Sequence, residues 1–229
     1  LTLLCVIWSL TASLPAKAER IELDITSSGV RKLLVAVPSF ADGSGNLNTA
    51  KGKEIAALLS DGLAFHGFVK ILDPKKYSSK RNIDWRSLGA DYVVMGKFSS
   101  TGGNMAIHGA LFDVMSDKML PANKFKGSVT SWDDLTLQLK DALVEQFTGE
   151  PGISRSSIAF VSDQTGRKEI YLSDVLGRKG RRITRHNHLC VSPRFSADGS
   201  YLAYSSYHRG NQNLYITQLN QNRITNVLS

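Results

Sequence analysis

The chain has 229 residues, a formal net charge of +8, 42% hydrophobic residues and two cysteines. This length allows one or two domains with cores of their own, and two cysteines exclude a scaffold built on disulfides. The charge is uneven: residues 19–150 carry 16 Lys/Arg and 16 Asp/Glu, whereas 151–229 carry 11 against 4, with Lys17 as the remaining cation.

Leu1 to Leu14 is apolar and nearly uncharged, and Ala16-Lys17-Ala18 follows it as a small-x-small cleavage pattern. A run this short reads as an export signal over residues 1–18, incomplete at its start, and not as a membrane span. The mature chain then begins at Glu19, in an exported compartment and without membrane insertion. Cys5 departs with the signal, which leaves Cys190 without an intramolecular disulfide partner. Arg20 to Ile25 alternates Ile21, Leu23 and Ile25 with Arg20, Glu22 and Asp24. Such a strand either adds to an exposed sheet edge or docks as the first strand of its own domain.

"KLLVAV", 32–37, predicts a buried strand ended by Pro38. Gly43-Ser44-Gly45 lies in a Gly/Asn-rich surface loop. Ile55, Leu58, Leu59 and Leu63 then share one face of a helix over 50–65. "FVKIL", 68–72, is the next strand, and 91–98 and 105–114 pair around Gly102-Gly103. Ser131-x-x-Asp134 predicts a capping box opening a helix striped with Leu135, Leu139, Ala142, Leu143 and Phe147. Together these elements predict an α/β (α+β layer) domain over 19–150, large enough to fold alone. "TGEPGIS", 148–154, reads as a linker at the break in charge.

Beyond it the sequence repeats. "IAFVSDQTGRKEIYLSDV", 158–175, lies ungapped over "LAYSSYHRGNQNLYITQL", 202–219, with Ala159 on Ala203, Gly166 on Gly210 and Tyr171 on Tyr215. Each unit has an apolar strand, a Gly-containing turn and a second strand carrying Tyr, the size of a propeller blade. Asp198-Gly199 marks the tight turn inside "PRFSADGSYLAYSS", where a positive φ suits glycine. Residues 151–229 therefore predict an incomplete all-β propeller of about two blades, which would not fold alone.

No Gly-x-Ser-x-Gly elbow, Walker A loop, dinucleotide fingerprint or His-Glu-x-x-His pair occurs, so no catalytic, cofactor-binding or metal residue is assigned. His186-x-His188-x-Cys190 has side chains suited to zinc or copper if the backbone is extended, but no fourth ligand is evident. Adventitious clustering is the preferred reading. "RKGRRITR", 178–185, is dense in Lys and Arg; it reads as a solvated blade-edge loop rather than a site for an anionic partner. Nucleic acid is not an expected partner in an exported compartment. Asp84, Asp91 and Asp113 read as turn and cap residues.

The segments "ERIELDITSSGVRKLLVAVPSF", "LGADYVVMGKF", "VEQFTGEPGISRSSIAFVS" and "FSADGSYLAYSS", in that order, resemble the TolB family of the Gram-negative Tol–Pal system. The resemblance implies a periplasmic, non-enzymatic, monomeric scaffold with an α/β domain before a six-bladed propeller, linking inner-membrane Tol proteins to the lipoprotein Pal in support of outer-membrane integrity and constriction at division. It further implies that a TolA-like protein pairs with the mature N-terminal strand, here Glu19, Arg20, Ile21, Glu22, Leu23, Asp24, Ile25, Thr26 and Ser27. The resemblance draws contacts to Pal largely from the propeller face, including blades absent from this sequence, so none is carried over. The alternative is the front end of a secreted prolyl-oligopeptidase-like enzyme whose hydrolase domain lies beyond Ser229.

Overall fold

The computed structural model describes residues 31–78, 82–220 and 223–228. The signal expected over 1–18 and the segment Glu19–Ser27 fall outside the described residues. Lys32–Ser229 forms one compact unit.

β1 (Leu33–Ala36) pairs in parallel with β2 (Val69–Ile71) on one side and with β3 (Tyr92–Thr101) on the other. A short apolar run suits this place, because a parallel strand is covered on both faces. β3 turns at Gly102-Gly103 into antiparallel β4 (Asn104–Asp113), in unbroken register from Tyr92↔Asp113 to Thr101↔Asn104. The far edge of β4 carries two strands: β5 (Lys118–Met119) beside Phe112 and Asp113, and β6 (Asn123–Ser128) beside Asn104 to Gly109.

Two helices cover one face of this sheet. α1 (Ala50–Ala64) starts at Thr49, whose hydroxyl accepts the Gly52 N–H at 3.1 Å, and buries Ile55, Leu58, Leu59 and Leu63. α2 (Trp132–Thr148) buries Leu135, Leu139 and Leu143. Both pack onto Val35, Val94, Ile107 and Leu111 of the sheet. The opposite face is covered only at one end, where Tyr77, Trp85 and Leu88 pack with Val93, Phe112 and Val114.

The capping box is not formed. Ser131 lacks the extended backbone of an N-cap (φ −105°, ψ 26°) and makes no side-chain cap bond. A 3₁₀ turn (Val129–Ser131) precedes α2 instead, and the Ser128 hydroxyl accepts the Thr130 N–H at 3.2 Å.

Residues 157–228 form two antiparallel sheets. β7 (Ser157–Ser162), β8 (Glu169–Asp174) and β9 (Arg181–Arg182) make a three-stranded blade. β10 (Cys190–Phe195), β11 (Tyr201–Ser206), β12 (Asn213–Gln218) and β13 (Arg223–Leu228) make a four-stranded meander. Among the described residues their shared core sets Ile170 and Leu172 against Cys190, Leu202, Tyr204 and Tyr215. The architecture is an α/β layer followed by an incomplete propeller, with no closed ring among the described residues.

Candidate functional site

The repeat has matching geometry in its two copies. Phe160 pairs with Tyr171 across β7 and β8, their rings stacked at 5.8 Å. The equivalent Tyr204 pairs with Tyr215 across β11 and β12, stacked at 5.7 Å. Gly166 (φ 81°) and Gly210 (φ 91°) close the two intervening turns from the left-handed region, where a β-carbon is penalised. Between β10 and β11, Gly199 (φ 71°) donates its N–H to the Ser196 carbonyl at 2.9 Å. The Asp198 carboxylate accepts from the Ser200 N–H (3.1 Å) and from the hydroxyls of Ser200 (2.6 Å) and Ser196 (2.5 Å). These donors, led by the Ser196 hydroxyl, lower its pKa to about 2, so the turn is tied by an ionised carboxylate.

The blades meet at a buried carboxylate that the sequence reading did not single out. Glu169 is fully buried at the start of β8. One of its oxygens accepts from Arg182 at 2.7 Å and from the Asn187 N–H at 2.8 Å. The other accepts from the Thr184 hydroxyl and, at 3.3 Å, from the His186 N–H. Burial alone would raise the Glu169 pKa, but the bonds from Thr184, Asn187, Arg182 and His186 together lower it. The carboxylate therefore stays charged and pins the 182–187 loop onto the first blade.

The same loop carries His186-x-His188-x-Cys190, and Asn187 (φ 56°) breaks the extended backbone that would have aligned its side chains. Cys190 is fully buried beside Glu169 and Ser206, and burial first of all pushes its thiol up. His186 bonds the Ser206 hydroxyl through Nδ1 (2.8 Å) and the Tyr204 hydroxyl through Nε2 (3.2 Å), while His188 is exposed. Burial also raises the Tyr204 phenol. A protonated thiol and a protonated phenol suit hydrogen bonding between strands rather than nucleophilic chemistry.

The basic loop is exposed at 178–181 and 185, as a solvated edge is, and part of it is also tied down by ion pairs. Arg178 pairs with Asp174 (2.9 Å) and Arg182 with Glu169 (2.7 Å). Lys179 reaches Asp133 (2.6 Å) and Asp134 (3.3 Å) in the first turn of α2, which joins the first blade to the α/β layer. On the other side of this seam the Asp141 carboxylate accepts the Ser154 N–H at 3.0 Å. Between them lies a cleft of about 530 Å³ lined by Leu137, Gln138, Arg155, Leu172, Lys179 and Arg181. Its polar and charged rim suits a peptide or another protein surface better than a small apolar ligand.

Asp84, Asp91 and Asp113 bond backbone N–H groups of Ser87 (3.1 Å), Leu34 (2.8 Å), and Met115 (2.9 Å) with Ser116 (3.1 Å). Glu19, Arg20, Ile21, Glu22, Leu23, Asp24, Ile25, Thr26 and Ser27 lie outside the described residues. On the blades, Ile158, Phe160 and Val161 of β7 are exposed, and β7 pairs only with β8 among the described strands.

Comparison with known proteins places these parts. The model of the TolB amino-terminal domain matches residues 21–120, and that of the TolB beta propeller domain matches residues 144–229. The chain is similar to the Tol-Pal system protein TolB of Desulfotalea psychrophila, at 41% identity over 93% of this chain and 49% of the relative. It is likewise similar to that of Desulfosudis oleivorans, at 33% identity over 98% of this chain and 54% of the relative. The crystal structure of TolB from Acinetobacter baumannii superposes with a TM-score of 0.70 at 19% identity, over 86% of this chain and 49% of that one. The chain thus spans about half the length of the curated relatives it matches.

Proposed function

The chain belongs to the TolB family, and we propose that it serves as a non-catalytic periplasmic scaffold of the Tol–Pal system. In this reading it links inner-membrane Tol proteins to Pal, supporting outer-membrane integrity and envelope constriction. The observation that carries the proposal is the order of parts. An α/β layer with its own core leads directly into blades, and relatives named as Tol-Pal components match across nearly the whole chain. Buried thiol and phenol groups held protonated, and carboxylates engaged in turns and ion pairs, fit a binding protein better than an enzyme.

Two contacts follow from this reading. Glu19–Ser27, with apolar residues at alternate positions, pairs as a strand with a TolA-like protein, and the propeller part faces Pal. The α/β layer ends near residue 150 and folds without the blades, whereas residues 151–229 do not fold alone.

The test is binding of the purified chain to a TolA carboxyl-terminal domain and to Pal, before and after deletion of residues 19–27. The expected result is loss of TolA binding on deletion, with Pal binding unchanged. Retention of TolA binding by the deleted chain would sink the strand assignment, and hydrolysis of peptide substrates by the intact chain would sink the scaffold reading.

A further inference from the structure

The face of the first sheet that the helices do not cover is open from Met95 outward, and its charge is one-sided. Side chains alternate between faces along a strand, so Lys97, His108, Lys124 and Lys126 share this face with Ser99, Ala106 and Met95. Lys97, His108 and Lys124 stand directly opposite one another on three adjacent strands, and Lys126 lies opposite Ala106. The three lysines are exposed, and none makes an ion pair with any described residue. No strand contributes an acidic residue to this face, although residues 19–150 balance 16 basic against 16 acidic side chains.

Like charges set across a sheet cost stability. Beside them, burial first, then the charges of Lys124, Lys97 and Lys126, hold the His108 imidazole below the ordinary value. A one-sided cationic row of this kind suits a partner of opposite charge.

We propose that this open face, centred on Lys97, Lys124 and Lys126, docks an extended acidic segment of a partner protein. Lys124 and Lys126 are two residues apart on one strand, about 7 Å, the repeat at which an extended segment presents alternate carboxylates. Lys97 stands level with Lys124 two strands away, about 10 Å across the sheet, so a segment laid along Lys124 and Lys126 has Lys97 at its flank. Flanking Met95 and Met119 are exposed and can repack against varied side chains. The described face presents no exposed aromatic ring of the kind that anchors a protein in a lipid interface. This contact is separate from the strand and propeller contacts proposed above.

The experiment measures anisotropy of a fluorescent peptide alternating Glu and Thr, titrated with the whole chain at low salt. Its controls are the Gln–Thr analogue and vesicles of phosphatidylglycerol. The expected result is binding of the Glu peptide only, weakened about tenfold in K97Q/K124Q/K126Q, roughly the sum of three exposed ion pairs. K53Q/K75Q/K76Q, which removes the same charge from other exposed sites, leaves the affinity unchanged. The first variant should melt no lower than the parent, because it relieves repulsion. Should it melt early, K124Q alone supplies the same comparison at smaller amplitude. Equal losses in both triple variants, equal binding of the Gln peptide, or binding to vesicles without binding to the peptide would overturn the proposal.

Discussion

The two regions of this chain are held together in different ways. In the α/β layer, two helices and a sheet bury a continuous aliphatic cluster running from Val35 through Leu63 and Leu111 to Leu143. Among the described residues of the blades, the shared core is Ile170, Leu172, Cys190, Leu202, Tyr204 and Tyr215, and the buried polar groups include Glu169, Thr184, Ser206, Asn213 and Thr217. Removal of apolar area from water stabilises the first. Among its described residues, the second adds charge-assisted hydrogen bonds to one buried carboxylate. The layer should therefore be sensitive to lost volume, and the blades to lost charge.

Leu139→Ala tests the first half of that contrast. Leu139 is fully buried in α2, over Gly109 of β4. Truncation should cost about 3 kcal/mol, within the range for buried leucines, and should lower the unfolding midpoint of the layer in urea. If the blades unfold separately, limited proteolysis at the 149–157 linker should leave their accessibility unaltered. A loss below about 1 kcal/mol would mean that the helix face repacks and the core is not close-fitted there.

Glu169→Gln tests the second half and should have a smaller effect, about 2 kcal/mol, because the side-chain shape is kept while the charge-assisted bonds are weakened. The amide cannot accept at both positions, so either Arg182 with the Asn187 N–H or Thr184 with the His186 N–H loses its partner. The readout is protease cleavage within 178–189, which should rise while the layer's midpoint stays fixed. Unchanged cleavage would show that apolar contacts, not the carboxylate, hold the loop.

Much of this arrangement was legible in the sequence, and the remainder was hidden for identifiable reasons. The β3–β4 hairpin was marked by Gly102-Gly103 between two apolar runs, and the blades by the ungapped repeat. β6 was missed because Lys-Phe-Lys-Gly offers a single large apolar residue, and pairing with β4 makes it a strand. Lys140 reads as a solvent-facing lysine on a helix, yet it is fully buried, with Nζ 3.0 Å from His66 Nε2 and 3.6 Å from Asp141. Glu169 and Lys179 looked ordinary because their partners lie 13–18 and 45–46 residues away, beyond any local pattern. The spacing of His186, His188 and Cys190 was plain, but the left-handed backbone at Asn187 that separates them was not.

The smallest expected effect is that of pH, and it touches the blades through His186 and the layer through His66 and His108. His66 accepts from the buried Lys140 ammonium, and burial, followed by the Lys140 charge, depresses its pKa against the opposing pull of Asp141. His186 sits between Ser206 and Tyr204; burial, then His208 and His188, depresses it against the pull of Glu169. In each case the unfolded chain binds a proton at a pH where the folded chain does not, so stability rises with pH through that window. It is present above the unfolded value near 6.5 and is lost as pH falls through it towards the lower folded value. Urea unfolding followed from pH 8 to pH 5 should show both regions weakening on the acid side. His66→Gln should shallow the profile of the layer alone, leaving the share of His108, since a Gln carbonyl can still accept from Lys140 without taking up a proton. His186→Gln should flatten that of the blades alone. If either variant flattens both profiles, the ion pairs of Lys179 across the seam couple the two regions more tightly than half-exposed contacts ordinarily do.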